Sequence, residues 1–111
     1  MSVIEIKECI DEAGKSPFAV WHDHLDARAA AKVTTVLYRL EQGNFSNTSG
    51  VGGGVFEYKI DFGPGYRIYF GKDGERVVII LGGGTKRRQQ QGINAAKGSW
   101  QDYKVRKRKS K

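Results

Sequence analysis

Two stretches of this 111-residue chain concentrate side chains able to do chemistry. In VFEYKIDFGPGYRIYF, residues 55–70, a period of two sets Lys59 on one strand face with Glu57 and Asp61. It likewise groups Arg67 and Tyr69 on the next strand. In LGGGTKRRQQQGI, residues 81–93, three glycines lead from a strand-like VVIIL into Lys86, Arg87 and Arg88. Lys and Arg neutralise phosphates, and a Tyr stacks on a base or donates a proton. A GPG turn symmetric about Pro64 would put Lys59 opposite Tyr69 and Asp61 opposite Arg67, with side chains close across the ladder. One reading is an exposed polar sheet face with an Asp61–Arg67 pair worth well under ~1 kcal/mol. The other is a shallow basic groove, in which Lys86 and Arg87 join Lys59, Arg67 and Tyr69. The pattern leaves both open and does not separate binding from catalysis.

Other chemistry fits these residues less well. A nucleotide-binding P-loop requires G-x-x-x-x-G-K-[ST]; in GGGTK the Thr precedes the Lys, no Gly directly precedes Lys86, and no βαβ unit surrounds it. His22 and His24, two apart on a helix, diverge by about 200° and do not reach one metal. Cys9 reads as a small buried residue, and no carboxylate pair stands out for acid–base work. Neither a metal nor a cofactor is expected.

The scaffold must come from one domain of modest core, since 39% of 111 residues are hydrophobic. The net charge of +7 is uneven: residues 1–54 carry five Lys/Arg against seven Asp/Glu, and residues 55–111 fourteen against five. The run KVRKRKSK at 104–111 supplies six of the positive charges, and without it the net charge is +1. The chain therefore reads as a domain over 1–103 with a basic tail over 104–111, where Lys104 and Arg106 join Arg88 and Tyr69 as candidate contacts for a polyanion. There is no N-terminal signal pattern and no long apolar run, so neither secretion nor a membrane span is expected. The lone Cys9 fits a reducing, cytoplasmic setting.

SVIEIKEC reads as a first strand with Val3, and with it Ile4 or Ile6, inward. Ser16-Pro17 starts a short helix with Phe18, Trp21 and Leu25 on one face. A second helix, about Ala27 to Gln42, carries Val33, Val36, Leu37 and Leu40, and Gly43 ends it. The two helices read as a hairpin, and NFSNTSGVGGG as a flexible loop. Three strands follow: VFEYKIDF, YRIYF and, after a tight Asp73-Gly74 turn, RVVIIL, which is apolar on both sides and so central or covered. A last helix from about Arg88 carries Ile93, Ala96, Trp100 and Tyr103 at helical spacing. The order β-α-α-β-β-β-α predicts a small α+β domain, an antiparallel meander sheet with a helical hairpin and a C-terminal helix.

GNF…VGGGVFEYKIDFGPGYRIYFGKDGERVVIILGGGTKRRQQQGI resembles the RelE/ParE superfamily, and within it the HigB-like, phage-derived addiction module killer proteins, toxins of type II toxin–antitoxin pairs. The likeness runs from about Phe18 to Tyr103 and is strongest in GPGYRIYFG and GGGTKRRQQ. It implies a RelE-like fold and a ribosome-dependent mRNA endonuclease, an mRNA interferase, in which the substrate's own 2′-hydroxyl attacks the next phosphate without a metal. Arg67 matches the family's strand arginine and is expected to hold the phosphate. Lys59 matches a basic residue on the preceding strand and would help remove the 2′-OH proton or stabilise charge. Lys86 or Arg87 falls near a third basic position, acting on the leaving group or on phosphate. The chain departs from the family at Asp61, where some members carry a second Lys. It departs again at Gly92, often acidic in this branch, and no Tyr matches the C-terminal catalytic tyrosine. The implied partners are mRNA on the ribosome, which makes Tyr69, Arg88, Lys104 and Arg106 candidate RNA contacts, and a small antitoxin, often a helix-turn-helix protein. Two other functions stay open on the same residues: a ParE-like inhibitor of DNA gyrase, and a non-catalytic nucleic-acid-binding module using the tail and Lys86 to Arg88.

Overall fold

A computed structural model describes residues 3–109 of the chain. It runs β1 (Glu5–Glu8), α1 (Pro17–Asp23), α2 (Ala27–Glu41), β2 (Thr48–Gly52), β3 (Val55–Ile60), β4 (Tyr66–Lys72), β5 (Val77–Thr85), a 3-10 turn (Lys86–Arg88) and α3 (Gln89–Lys109). The fold is α+β, with one five-stranded sheet in the order β1-β5-β4-β3-β2.

The helix starts follow from their caps. Ser16 Oγ accepts from the Ala19 amide at 3.0 Å, and Pro17 fills a first-turn position that needs no N–H. Asp26 Oδ1 accepts from the Ala29 amide at 2.8 Å to start α2. Gly43, at φ +79°, ends α2 and donates its amide to Leu40 O at 3.0 Å. α1 packs over β5, and α2 over β1 and β3. Their buried stripe of Phe18, Val33, Val36 and Leu40 meets Tyr58, Ile60, Ile68 and Phe70 on one sheet face. α3 covers the other face, laying Ala96 and Trp100 on Val55, Tyr69, Ile79 and Leu81. β5 is thus covered on both sides, which is why RVVIIL lacks a polar face. Indole rings lie flat on bare backbone: a Cβ at Gly71 would come 2.6 Å from Trp100, and one at Gly83 2.3 Å from Trp21.

Several expectations are corrected. The sheet is mixed, because β1 pairs with β5 in parallel, Glu5 opposite Val77. Residues 48–52 are not a loop but an edge strand, antiparallel to β3 and closed by Gly53-Gly54 at φ +64° and +83°. A two-residue Gly-Gly link between strands is itself a hairpin signal, since both positions need positive φ. The β4–β5 hairpin is wider than a tight Asp73-Gly74 turn: residues 73–76 form it, and the Asp73 amide donates to Val77 O at 2.9 Å. Val3 is 66% exposed rather than inward, whereas Ile4 and Ile6 pack on the core. The basic run from Lys104 forms the end of α3, which continues through Lys109; Ser110 and Lys111 lie outside the described residues.

The far half of α3 is stapled to the β4–β5 loop at Asp73, which accepts from the Tyr103 hydroxyl at 2.6 Å and pairs with Lys107. These partners hold the Asp73 carboxyl below its usual range, while burial and then Asp73 push the Tyr103 phenol up to about 12.

Candidate nucleic-acid interface

The face under the start of α3 is where the chemically able residues collect. The turn joining β3 to β4 is asymmetric: Gly63 takes φ +55° and the Gly65 amide donates to Phe62 O at 2.9 Å. Pairing therefore centres on Gly63 rather than Pro64. Lys59 lies opposite Arg67, and Glu57 opposite Tyr69. Asp61, expected across from Arg67, falls outside the ladder and is exposed. The acid beside Arg67 is instead Glu57, with Oε2 3.7 Å from Arg67 Nε.

On the other side of β4, Arg67 faces Gly84 and Tyr69 faces Gly82, across a bulge that separates Tyr69 from Phe70. Two rows result, Lys59–Arg67–Gly84 and Glu57–Tyr69–Gly82. A Cβ at Gly82 or Gly84 would meet nothing within 4 Å, so the β5 end of both rows is open backbone. Beside it runs a cleft of about 420 Å³, bounded by Trp21, Gly84, Thr85, Arg88, Gln91 and Gly92.

Glu57 is 1% exposed and Arg67 7%. A carboxylate this deep costs several kcal/mol unless its lone pairs and charge are met. Gln89, the first residue of α3, donates Nε2 to both carboxylate oxygens, at 2.9 and 3.1 Å. Arg67 supplies the charge but not a good hydrogen bond: its Nε is buried without an acceptor, and Nη1 reaches Tyr66 O at 3.4 Å. The guanidinium is thus fixed in place with donors to spare. Glu57 ties together Arg67 on β4 and the helix that follows the Lys86–Arg88 turn.

Two cations meet at Gly65, where the absence of a side chain lets the Lys86 stem pack close against the turn, with Lys86 Cδ 3.8 Å from the Cβ position. That position is 3.9 Å from Arg67 Nη1 and 3.2 Å from Lys86 Cβ, and the Lys86 amide donates to Gly65 O at 2.9 Å. Lys59, Lys86, Arg87 and Arg88 are exposed, and among the described residues none has a carboxylate within 4 Å. Arg88 Nε donates to Gln91 Oε1 at 2.9 Å.

The structure brings Lys59, Arg67 and Lys86 together and leaves others outside. Tyr69 is 1% exposed beneath α3, so its ring is not a surface for a base to stack on. Burial raises its phenol well above the usual value, and Glu57 adds to the rise. At neutral pH Tyr69 therefore stays protonated, and its hydroxyl donates to Gln89 O at 3.4 Å. Lys104 and Arg106 sit 16 and 18 residues past Arg88 on one helix, about 24–27 Å away. They flank the Asp73 staple, not the basic face. His22 packs on Phe18, and His24 Nδ1 meets Val20 O at 2.7 Å. The Cys9 thiol is buried, which raises its pKa. Among the described residues, no group of three or more His, Cys, Asp or Glu could hold a metal.

Gly92, where the family branch often has an acid, has a packing role here. A Cβ there would lie 2.8 Å from Tyr69 Cε2 and 3.0 Å from its hydroxyl. Helix propensity alone favours Ala by ~1 kcal/mol, but overpacking a closed core costs ~1–3 kcal/mol. Gly92→Ala is expected to lower the urea midpoint; a midpoint at or above wild type would mean that the ring has room to move.

No family model matches the chain. A Haemophilus influenzae protein described only as uncharacterized is 41% identical over 81 residues, which span 72% of this chain and 82% of that protein. The chain belongs to the family of that protein. Among the described residues, no helix is long and apolar enough to cross a membrane.

Proposed function

We propose that this protein is the toxin of a type II toxin–antitoxin pair, a HigB-like member of the RelE/ParE superfamily that cuts mRNA on the ribosome. The observation that carries the reading is the meeting of Arg67 Nη1 and Lys86 at Gly65, with Lys59 beside Arg67 in the ladder and open backbone at Gly84 on its other side. Three cations beside the bare backbone of Gly84 suit a phosphate of a chain drawn across the sheet. The order of elements and the closeness to GPGYRIYFG-type sequences support the same reading.

In this mechanism the 2′-oxygen of one nucleotide bonds to the adjacent phosphorus and the 5′-oxygen of the next nucleotide leaves. The products are a 2′,3′-cyclic phosphate and a 5′-hydroxyl end. Lys59, exposed beside the phosphate, takes the 2′-OH proton or balances the charge it leaves. Arg67 stabilises the phosphorane, where negative charge peaks, from a position already fixed by Glu57. Lys86 or Arg87 neutralises the departing oxygen. Tyr69, protonated and buried, positions the start of α3 and takes no part as a base. The substrate supplies the nucleophile, so the roles left to the protein are those a Lys–Arg face can fill.

The test is brief induction in a bacterial host followed by mapping of mRNA 5′ ends. New ends within coding regions, together with growth arrest that a small neighbouring helix-turn-helix protein relieves, are expected. Arrest with intact mRNA and gyrase-dependent DNA breaks would overturn the nuclease in favour of a gyrase inhibitor.

A further inference from the structure

We infer that the edge of the sheet at Lys59 holds a second subsite for single-stranded RNA, a cleft between α2 and the end of β3 that takes one nucleotide next to the one held at Arg67. The inference rests on the RNA-cutting reading for its substrate and on separate residues for its site. β2 begins at Thr48, opposite Tyr58, so the outer edge of β3 beyond that point meets only the Asn47 carbonyl, which accepts from the Lys59 amide at 3.3 Å. There the sheet edge opens into a cleft of about 210 Å³ whose rim carries Lys32 and Arg39 from α2, Asn47, Lys59, Asp61 and Phe62. This is smaller than the ~300–1,000 Å³ typical of a small-molecule pocket and suits a chain passing through.

The chemistry of the rim is that of a single-strand binder. Lys32, Arg39 and Lys59 face one acid, Asp61, and among the described residues none of the three has a carboxylate within 4 Å. Phe62 is half-buried, and Lys32 Nζ stands over its ring, 5.2 Å from the centroid, a seat that a stacking base would take as the ammonium moves to a phosphate. Cations beside an aromatic ring are the combination that tracks a phosphate backbone while stacking a base, and stacking requires a base that is not already paired. Arg39 Nη1 donates to the Tyr58 hydroxyl at 3.4 Å, which holds the guanidinium at the rim. Lys59 borders both the cleft and the Arg67 row, so the path is continuous. RNA would wrap around the β3 edge toward α2, away from the cations at the far end of α3.

The experiment is fluorescence anisotropy of a short single-stranded oligoribonucleotide over a range of salt. It compares wild type with Lys32→Gln/Arg39→Gln, with Lys32→Glu and with Phe62→Leu. The control is Lys7→Gln/Arg76→Gln at the opposite, β1 edge. Losing two phosphate contacts should lower the slope of log affinity against log salt by about 1.4, at roughly 0.7 per contact on a single strand. Phe62→Leu should weaken binding on the order of tenfold at unchanged slope. Lys32→Glu, which leaves the Arg39–Tyr58 contact intact, guards against loss of fold and should weaken binding too. Slopes and affinities equal to wild type in all three variants overturn the subsite, as does a wild type that binds only duplex DNA. If wild type cuts mRNA while the variants bind normally, the subsite falls and the nuclease stands. If the variants lose RNA binding but wild type cuts nothing, the nuclease falls and the subsite stands.

Discussion

Arg67→Ala is expected to lower kcat/KM for cleavage of ribosome-bound mRNA by about 10²–10³-fold, the usual cost of removing one donor aimed at charge that develops in a transition state. The substitution also leaves the Glu57 carboxylate buried beside Gln89 without its cation. Breaking a buried pair from one side costs ~3–5 kcal/mol, so loss of activity alone would be ambiguous. Adding Glu57→Gln to Arg67→Ala removes the stranded charge, and stability should return while cleavage does not. A double variant that regains both would show that Arg67 serves the fold and not the reaction. Arg67→Lys should fold but cut poorly, because a point charge lacks the second donor that reaches past Glu57.

Glu57→Ala on its own should be the most destabilising single change on this face. It strands Arg67, whose Nε already lacks an acceptor, and frees the Gln89 amide that ties α3 to the sheet. A loss of ~3–5 kcal/mol corresponds to a fall in Tm of at least about 10 °C in a domain of this size. Glu57→Gln also removes the counter-charge of Arg67 but keeps an acceptor for Gln89, so it should recover only the share of the loss that belongs to Gln89. Thermal melts of the two variants decide the point: equal melting of Glu57→Ala and wild type would mean that the buried pair contributes nothing. A buried ion pair is seldom kept for stability, since apolar residues of similar volume often do as well. Here it fixes a guanidinium between Lys86 and the open backbone at Gly84, and that is the use the proposed reaction has for it.

The same rows show how far the one-dimensional pattern reaches. Period-two alternation assigned Tyr58, Ile60, Ile68 and Phe70 to one face, and Lys59, Arg67 and Tyr69 to the other, as found. Alternation depends only on the pleat, which every strand shares. Ser16-Pro17, Asp26 and Gly43 likewise carry their meaning locally, because a cap is satisfied within one turn of its own helix. The register across GPG was different. It depended on where the ladder closed around the turn, and moving the centre from Pro64 to Gly63 gave Arg67 Lys59 in place of Asp61 across the ladder, and Tyr69 Glu57 in place of Lys59.

Glu57 was visible in the sequence only as one more polar residue on an outward-facing strand position. Its burial depends on α3 folding back over that face from a distance of more than thirty residues, with Gln89 arriving to meet it. The doubly apolar RVVIIL already required a cover on both sides of the sheet, and so hinted that the polar face was not wholly exposed. β2 was missed because its small residues carry no alternating signal; an edge strand needs only backbone, and β3 supplied the partner. Residue types and local periods thus set the elements, their caps and their faces, because those depend on neighbours a few residues away. Register, cover and the company kept by Arg67 came from the packing of distant segments, since a strand's pattern says which way a side chain points but not what will be waiting there.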